Sequence, residues 1–135
     1  MTEEEKDLLI KDLCSRLPYG VKISIPELWI SEEKIEVLNE IFRGDDGLYR
    51  VDDSGMFIKY IKPYLFPLSS MTEEQKREYR KACELDTEIL SKHPMNETPF
   101  PALYNSQDWL NKNHFDYRGL IPLGLAKDAT GLNIY

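Results

Sequence analysis

The segment MFIKYIKPYLFPL at residues 56–68 is aromatic and apolar, but its two prolines restrict what it can form. Proline has no backbone N–H to donate, and inside a helix its ring clashes with the preceding turn, so Pro63 and Pro67 rule out a helix. In a sheet, the missing donor confines proline to edge strands, strand ends and bulges. The segment is therefore predicted to be an edge strand or an extended crossing that seals one end of a sheet, and not a central strand.

Residues 2–17 are predicted to form a helix. Thr2 and Glu5 have the spacing of a capping box, and Pro18-Tyr19-Gly20 ends the pattern. Four residues form the apolar side of this helix: Leu9, Leu13, Cys14 and Leu17. Residues 21–25 then alternate between apolar and polar, which predicts a half-buried strand closed by Pro26.

Residues 31–43 fit two interpretations. Ser31 followed by two glutamates resembles a helix start, and the apolar positions that follow match a helical stripe up to Gly44. At period two, the same residues alternate, and the turn signal Asp45-Asp46-Gly47 precedes the strand-like residues 48–51. We favour the pair of strands, because a hairpin turn needs two arms.

In the second half, Thr72 and Gln75 form another capping box and begin a helix that extends to about Lys92. Residues 93–104 contain three prolines and are predicted to be an irregular connector. Asn105 can cap a short helix over residues 107–114, and the apolar tail that follows must dock on the body or on a partner. We expect Asp86, on the inner side of the long helix, to pair with Arg118 or Lys127.

Composition excludes several classes of protein. The chain has 135 residues and a formal net charge of -7, with 41% hydrophobic and 30% charged residues, which is typical of one folded domain. Excess negative charge disfavours direct nucleic-acid binding, since neutralising phosphates needs a positive face. The acidic N-terminus does not resemble a signal peptide, and no apolar run reaches the roughly 18 residues of a membrane span. We expect a soluble cytoplasmic protein with no membrane association.

No catalytic or metal-binding motif stands out. Two cysteines and two histidines are too few and too dispersed for zinc, so we expect no metal and no cofactor. Cys14 and Cys83 are predicted to be buried free thiols, and the aspartates near residues 45–53 to be turn residues rather than calcium ligands. Cys83, His114 and Asp116 could be assembled into a nucleophilic set, but nothing in the sequence brings them together. The chain is therefore predicted not to be an enzyme.

The segment WLNKNHFDYRGLI at 109–121 is the candidate interaction site. Trp, Tyr and Arg dominate interface hot spots because they combine large area with directional hydrogen bonding. The alternative is structural, namely that the same side chains hold the tail in place, and this alternative carries the greater weight. The candidate residues are Trp109, His114, Phe115, Asp116, Tyr117 and Arg118.

The stretches IKPYLFPLSSMTEEQ at 61–75 and WLNKNHFDYRGLIPLGLAKDATGLNIY at 109–135 resemble an uncharacterised family of small proteins from gut Bacteroidales and their phages and prophages. The N-terminal helix with Arg16-Leu17-Pro18-Tyr19-Gly20 resembles it too, whereas residues 26–60 are the variable part. The family has no known activity, so the resemblance implies no site residues. It implies a cytoplasmic protein of a bacterial host cell, an accessory of a phage or mobile element, with the variable part in the sheet.

The sequence thus predicts a single α+β domain over residues 1–135: an N-terminal helix (1–20), a small antiparallel sheet or SH3-like partly open barrel (21–70), a long helix (71–92), then a connector, short helix and docked tail (93–135). The leading hypothesis for function is a non-catalytic protein-interaction module with an unknown protein partner. One alternative is an acidic inhibitor that occupies a basic nucleic-acid-binding site on a host protein. Another is a small enzyme with a site near His114 and Asp116. A tail exchanged between copies would give a homodimer.

Overall fold

The computed structural model describes residues 1–26, 33–52, 55–92 and 105–135. The architecture is α+β, as predicted. Its helices are α1 (Glu3–Arg16), α2 (Glu73–Lys92) and α3 (Asn105–Lys112), and its strands are β1 (Lys22–Pro26), β2 (Glu33–Val37), β3 (Ile41–Arg43), β4 (Tyr49–Val51), β5 (Met56–Phe57), β6 (Lys62–Pro67), β7 (Phe115–Asp116) and β8 (Lys127–Asp128).

Both predicted capping boxes are present. The Thr2 hydroxyl accepts a hydrogen bond from the Glu5 N–H at 3.0 Å, and the Glu5 carboxylate accepts one from the Thr2 N–H. Thr72 and Gln75 exchange the same two bonds at the start of α2. Each pair satisfies two backbone donors that the helix itself cannot pair, so the sequence locates both helix starts correctly.

The prediction that both cysteines are buried is wrong for Cys14. Both thiols are free, but Cys14 is exposed and Cys83 is half-buried. The buried side of α1 consists of Leu9, Asp12, Leu13 and Arg16. Cys14 follows Leu13 by about 100° around the helix and so lies beyond the buried stripe.

The strand interpretation of residues 33–51 is confirmed, although the pairing differs from a simple hairpin. Strand β2 is antiparallel to β1, whereas β3 forms the hairpin with β4 and belongs to a separate three-stranded sheet, β3-β4-β5. Gly47, with a φ of 79°, permits the tight turn between β3 and β4. At the corner between the two sheets, one oxygen of Asp52 accepts hydrogen bonds from the N–H groups of Asn39 and Glu40, both at 2.8 Å. An SH3-like barrel stays a prediction.

The prediction that residues 56–68 provide no central strand is wrong. Strand β6 pairs with β1 on one side and also with β7 and β8, so it lies inside the five-stranded sheet. Its prolines are tolerated because of their positions. Ser24 opposite Lys62 is a hydrogen-bonded position of the β1–β6 ladder, so the next residue, Pro63, has no donor to provide toward β1. Pro67 is the last residue of the strand.

Helix α1 packs on one face of the main sheet, and residues of the tail cover part of the other face. Ile23 and Leu65 belong to a buried cluster with Leu9 and Leu13 of α1. Because side chains alternate along a strand, Phe66 points to the opposite face from Leu65. There its ring contacts Phe115, its neighbour on β7, at a centroid distance of 6.0 Å and Tyr135 at 5.7 Å. The tail supplies β7 and β8, both parallel to β6, so the predicted docked tail extends an antiparallel sheet into a mixed one.

The predicted partner of Asp86 is wrong. Its carboxylate accepts hydrogen bonds from the backbone N–H groups of Asn105 and Ser106 and from both of their side chains, at 2.6–3.0 Å. Asp86 on α2 therefore caps α3 from outside, and Asn105 is the first helical residue rather than the cap.

The connector at 93–104 lies outside the described residues. Among the helices that the structure describes, none is long and apolar enough to cross a membrane.

Candidate functional site

Two places could carry function: the predicted segment around Trp109–Arg118, and a groove that the sequence did not indicate. In the first, a buried charge network joins α1 to the tail. Asp12 and Arg16 are both 0% exposed, and the Asp12 carboxylate accepts hydrogen bonds from Arg16 at 2.9 and 3.1 Å and from Arg118 at 2.8 Å. Arg16 also donates to the Phe115 carbonyl at 2.6 Å. The two arginines thus connect parts of the chain about a hundred residues apart through one carboxylate.

Tyr117 and Asp116 are also engaged inside the molecule. The guanidinium groups of Arg16 and Arg118 both lie over the Tyr117 ring, at 5.3 and 4.5 Å from its centroid. Its hydroxyl donates to the Asn111 side chain at 2.8 Å. Asp116 is buried, and each of its carboxylate oxygens accepts a hydrogen bond from the backbone that follows, at residues 120 and 121. Both residues therefore fix the path of the tail.

The aromatic members stack on one another. The rings of Trp109 and Phe115 are stacked, with centroids 5.7 Å apart and planes inclined by 9°. Tyr79 of α2 contacts the Trp109 ring, also at 5.7 Å. Phe115 is 1% exposed, so most of its area is already used for packing. The aromatic group joins α2, α3 and the sheet, which is the role of a core rather than of a free surface.

His114 is buried against the last residue of the chain. It has a φ of 63°, stacks on the Tyr135 ring at 3.8 Å, and its Nδ1 has no hydrogen-bond partner among the described residues. Burial, with a smaller contribution from the positive charges of Arg16 and Lys22, lowers the pKa of His114 from 6.5 to about 4. At neutral pH the imidazole is therefore uncharged and enclosed.

The Tyr135 hydroxyl bridges β1 and β6 at the point where these two strands separate. It accepts a hydrogen bond from the Lys22 N–H at 2.8 Å and donates to the Tyr64 carbonyl at 2.7 Å. The β1–β6 register would bring these two residues opposite each other at the next position. Burial raises the pKa of Tyr135 to about 12, although its bond from Lys22 and the nearby Arg16 act in the opposite direction. The residue is 42% exposed overall, but its hydroxyl is inserted into the ladder.

The structure thus brings the six predicted residues together. Asp116 is bonded to the backbone, and Tyr117 and Arg118 are bonded to side chains outside the set, whereas the buried His114 Nδ1 has no partner among the described residues. For acid–base chemistry, His114 and Asp116 would need to face a common space, but one is enclosed and the other has both oxygens occupied by N–H groups. Cys83 lies on α2 and is half-buried. Among the residues that the structure describes, no three His, Cys, Asp or Glu side chains converge as metal ligands.

The second place is a groove of about 480 Å³ between the first turns of α1 and the three-stranded sheet, which we call the α1 groove. This volume is within the usual range for ligand-binding clefts. Ile58 is fully buried, the Tyr49 and Phe57 rings are half-buried, and Leu48 is exposed. The described residues that line the α1 groove are Met1, Glu3, Lys6, Leu48, Tyr49, Phe57, Ile58 and Lys59.

The wall of the α1 groove formed by the hairpin is held in place by its own contacts. Arg50 donates to both oxygens of Asp46, at 3.0 and 2.6 Å, and covers the Phe57 ring at 4.5 Å. Asp46 also accepts a hydrogen bond from the Leu48 N–H at 3.1 Å. These bonds, the one from Arg50 above all, lower the pKa of Asp46. The carboxylate therefore stays charged and fixes both Arg50 and the backbone of Leu48.

Sequence reasoning missed the α1 groove because its described lining comes from the start of α1 and from residues 48–49 and 57–59, which no local pattern connects. It also missed the Asp12 network, although a signal was present. Asp12 and Arg16 are spaced i, i+4 and lie on the same side of α1 as Leu9 and Leu13, so opposite charges occupy the apolar stripe. Comparison with protein-family models, with curated proteins and with solved structures finds no match for this chain.

Proposed function

We propose that the protein is a non-catalytic protein-interaction module and that it binds a partner polypeptide in the α1 groove. The observation that carries this proposal is a preformed cleft of about 480 Å³ whose lining combines apolar and charged side chains, with the exposed Leu48 among them. The Trp109–Arg118 segment is the weaker candidate, since Asp116, Tyr117 and Arg118 are already bonded inside the molecule and His114 is buried.

The lining indicates the chemistry of the partner. The exposed Leu48 and the half-buried Tyr49 and Phe57 offer apolar surface, which suits a large apolar side chain. Lys6 and Lys59 also line the groove, and Glu3, which carries the only carboxylate among its described lining residues, is 3.8 Å from the Lys6 ammonium. An apolar anchor residue beside an Asp or Glu therefore fits best, because it would fill the cleft and meet a lysine.

The other candidate functions have less support. An enzyme near His114 and Asp116 would need two groups facing a shared space, and they are directed elsewhere. An acidic inhibitor would need a concentrated negative stripe, whereas exposed carboxylates such as Asp46, Glu73 and Glu88 form ion pairs with neighbouring bases. A setting in a phage or mobile element, in a bacterial cytoplasm, remains part of the proposal and rests on the resemblance alone.

The test is a selection of random peptides on the immobilised full-length protein. We expect enriched peptides with an apolar residue next to an acidic one, and Leu48→Asp should abolish their binding. Leu123→Asp is the matched control, because Leu123 is 51% exposed and does not line the groove. No enrichment, or equal binding to Leu48→Asp, would contradict the proposal. Enriched peptides rich in Lys and Arg, with steep salt dependence, would favour the inhibitor.

A further inference from the structure

Strand β2 is at the end of the strand order of the five-stranded sheet. Within the described ranges, it pairs with β1 alone. Two of its apolar side chains, Ile35 and Val37, are 43% and 41% exposed. An edge strand with exposed apolar side chains is a template for pairing with another strand, unless charges or prolines prevent it. The question is therefore which strand this edge accepts.

The hydrogen-bond pattern shows which peptide groups of β2 face the free edge. The Leu38 N–H donates to the Val21 carbonyl of β1 at 2.9 Å. In an antiparallel strand, the N–H and C=O of one residue point to the same side, and the side alternates from one residue to the next. The N–H and C=O groups of Glu36 and Lys34 therefore also face β1. The backbone N–H and C=O groups of residues 33, 35 and 37 point the other way, away from β1. Only these groups can form hydrogen bonds with an added strand.

The charges on β2 alternate in a self-complementary way. Lys34 and Glu36 lie on one face of the strand and are paired within the chain at 2.6 Å, while Ile35 lies between them on the other face. Their cross-strand neighbours on β1 are Ile25 and Ile23, so both charges are on the core face of the sheet, at its rim. Charges in this position repel most added strands.

A second copy of the same strand meets these constraints in one register. When two copies pair antiparallel with Ile35 opposite Ile35, Glu33 lies opposite Val37, and the outward peptide groups face each other in about six hydrogen bonds. Lys34 then lies opposite Glu36 of the other copy, twice, at positions where side chains approach most closely. Moving the register by two residues places Lys34 opposite Lys34, or Glu36 opposite Glu36, and like charges there oppose pairing.

We infer that the protein forms a symmetric homodimer through antiparallel β2–β2 pairing centred on Ile35, so that one sheet continues across both copies. The contact is isologous and closes on itself, so it gives a dimer and not a fibre. It is independent of the α1 groove, whose lining includes no residue of β2. It also differs from tail exchange, since the tail of each copy stays on its own β6.

The test uses sedimentation equilibrium of the full chain with two charge variants. We expect the wild type to dimerise with rising concentration, and Lys34→Glu and Glu36→Lys each to weaken dimerisation about tenfold or more, since two attractive pairs become two repulsive ones. An equimolar mixture of the two variants should recover association as a heterodimer, because every facing pair is again of opposite charge. Lys76→Glu is the matched control, because it breaks an exposed ion pair with Glu73 on α2.

Amide exchange gives a second readout that does not depend on a variant. The N–H groups of Ile35 and Val37 should exchange more slowly as concentration rises, whereas that of Glu36, which faces β1, should not change. A wild type that stays monomeric up to about 1 mM, variants that associate like the wild type, or a mixture that fails to recover association would each overturn the inference. Association that is insensitive to both charge variants would point to tail exchange.

Discussion

Replacing Asp12 with asparagine should destabilise the protein more than any substitution on its surface. The carboxylate is 0% exposed and accepts three hydrogen bonds, two from Arg16 and one from Arg118. Asparagine has nearly the same shape, but its amide NH₂ would face guanidinium donors. The negative charge of the carboxylate is also lost. Arg16, itself 0% exposed, would then be a buried cation without a counter-ion.

The size of the effect follows from this burial. Removing one partner of a buried ion pair costs about 3–5 kcal/mol, because the remaining charge stays desolvated. Total stability for a domain is roughly 5–15 kcal/mol, so the loss is a large fraction of it. The relevant measurement is the free energy of unfolding from urea denaturation at pH 7. Asp7→Asn, at an exposed position of the same helix, should change it by less than about 0.5 kcal/mol.

A double substitution separates loss of the pair from loss of packing. In Asp12→Leu with Arg16→Met, both buried charges are gone, and Arg118 retains its bond to Ser15. The double variant should therefore be more stable than Asp12→Leu alone, with a coupling energy of about 1–3 kcal/mol. A loss below about 1 kcal/mol for Asp12→Asn, or no coupling in the double variant, would refute the argument that this network is buried and interdependent.

Three further predictions concern the tail and α3. The pKa of His114 near 4 lies below its unfolded value of 6.5, so stability should fall by up to about 3 kcal/mol as pH drops from 6.5 to 4, and His114→Asn should remove this slope in urea titrations. Tyr135→Phe leaves two backbone groups unpaired and should cost about 1–3 kcal/mol in the same assay, against little for the exposed Tyr60→Phe. Burial tends to raise the pKa of Asp86, but hydrogen bonds from Ser106 and Asn105 lower it overall. The charged carboxylate should therefore stabilise the fold above pH 3.8, and this stabilisation should be lost as the pH falls below that value. Asp86→Asn should lower the melting temperature at pH 7.

The elements predicted correctly from sequence depend on local signals. The capping boxes at Thr2 and Thr72 are complete within four residues, and the turn at Asp45-Asp46-Gly47 needs only the conformational freedom of Gly47. In each case the residues that determine the structure are neighbours in the chain. These local signals were therefore enough to obtain the α+β class, the starts of α1 and α2, and the extended structure of β1 to β4.

The errors concern features that depend on distant residues. Whether Pro63 can lie in a central strand depends on which of its neighbours provides the hydrogen bond to β1, and that is a property of register. The partner of Asp86 is a helix terminus about twenty residues away, beyond the connector. The aromatic residues of the candidate segment at 109–118 do pack together, but Arg118 is directed inward by Asp12, which is about a hundred residues earlier.

The buried network and the α1 groove are connected through one helix. The first turns of α1 form one wall of the groove, and its last turn carries Asp12 and Arg16, which hold the tail. Because a helix moves largely as a rigid body, we expect the position of the groove wall to depend on the docked tail. Asp12→Asn should therefore weaken binding of peptides selected on the wild type, under conditions where the variant is still folded. Leu123→Asp, which alters the tail surface without touching the network, should leave that binding unchanged, and equal affinities for the wild type and Asp12→Asn would show that the groove forms independently of the tail.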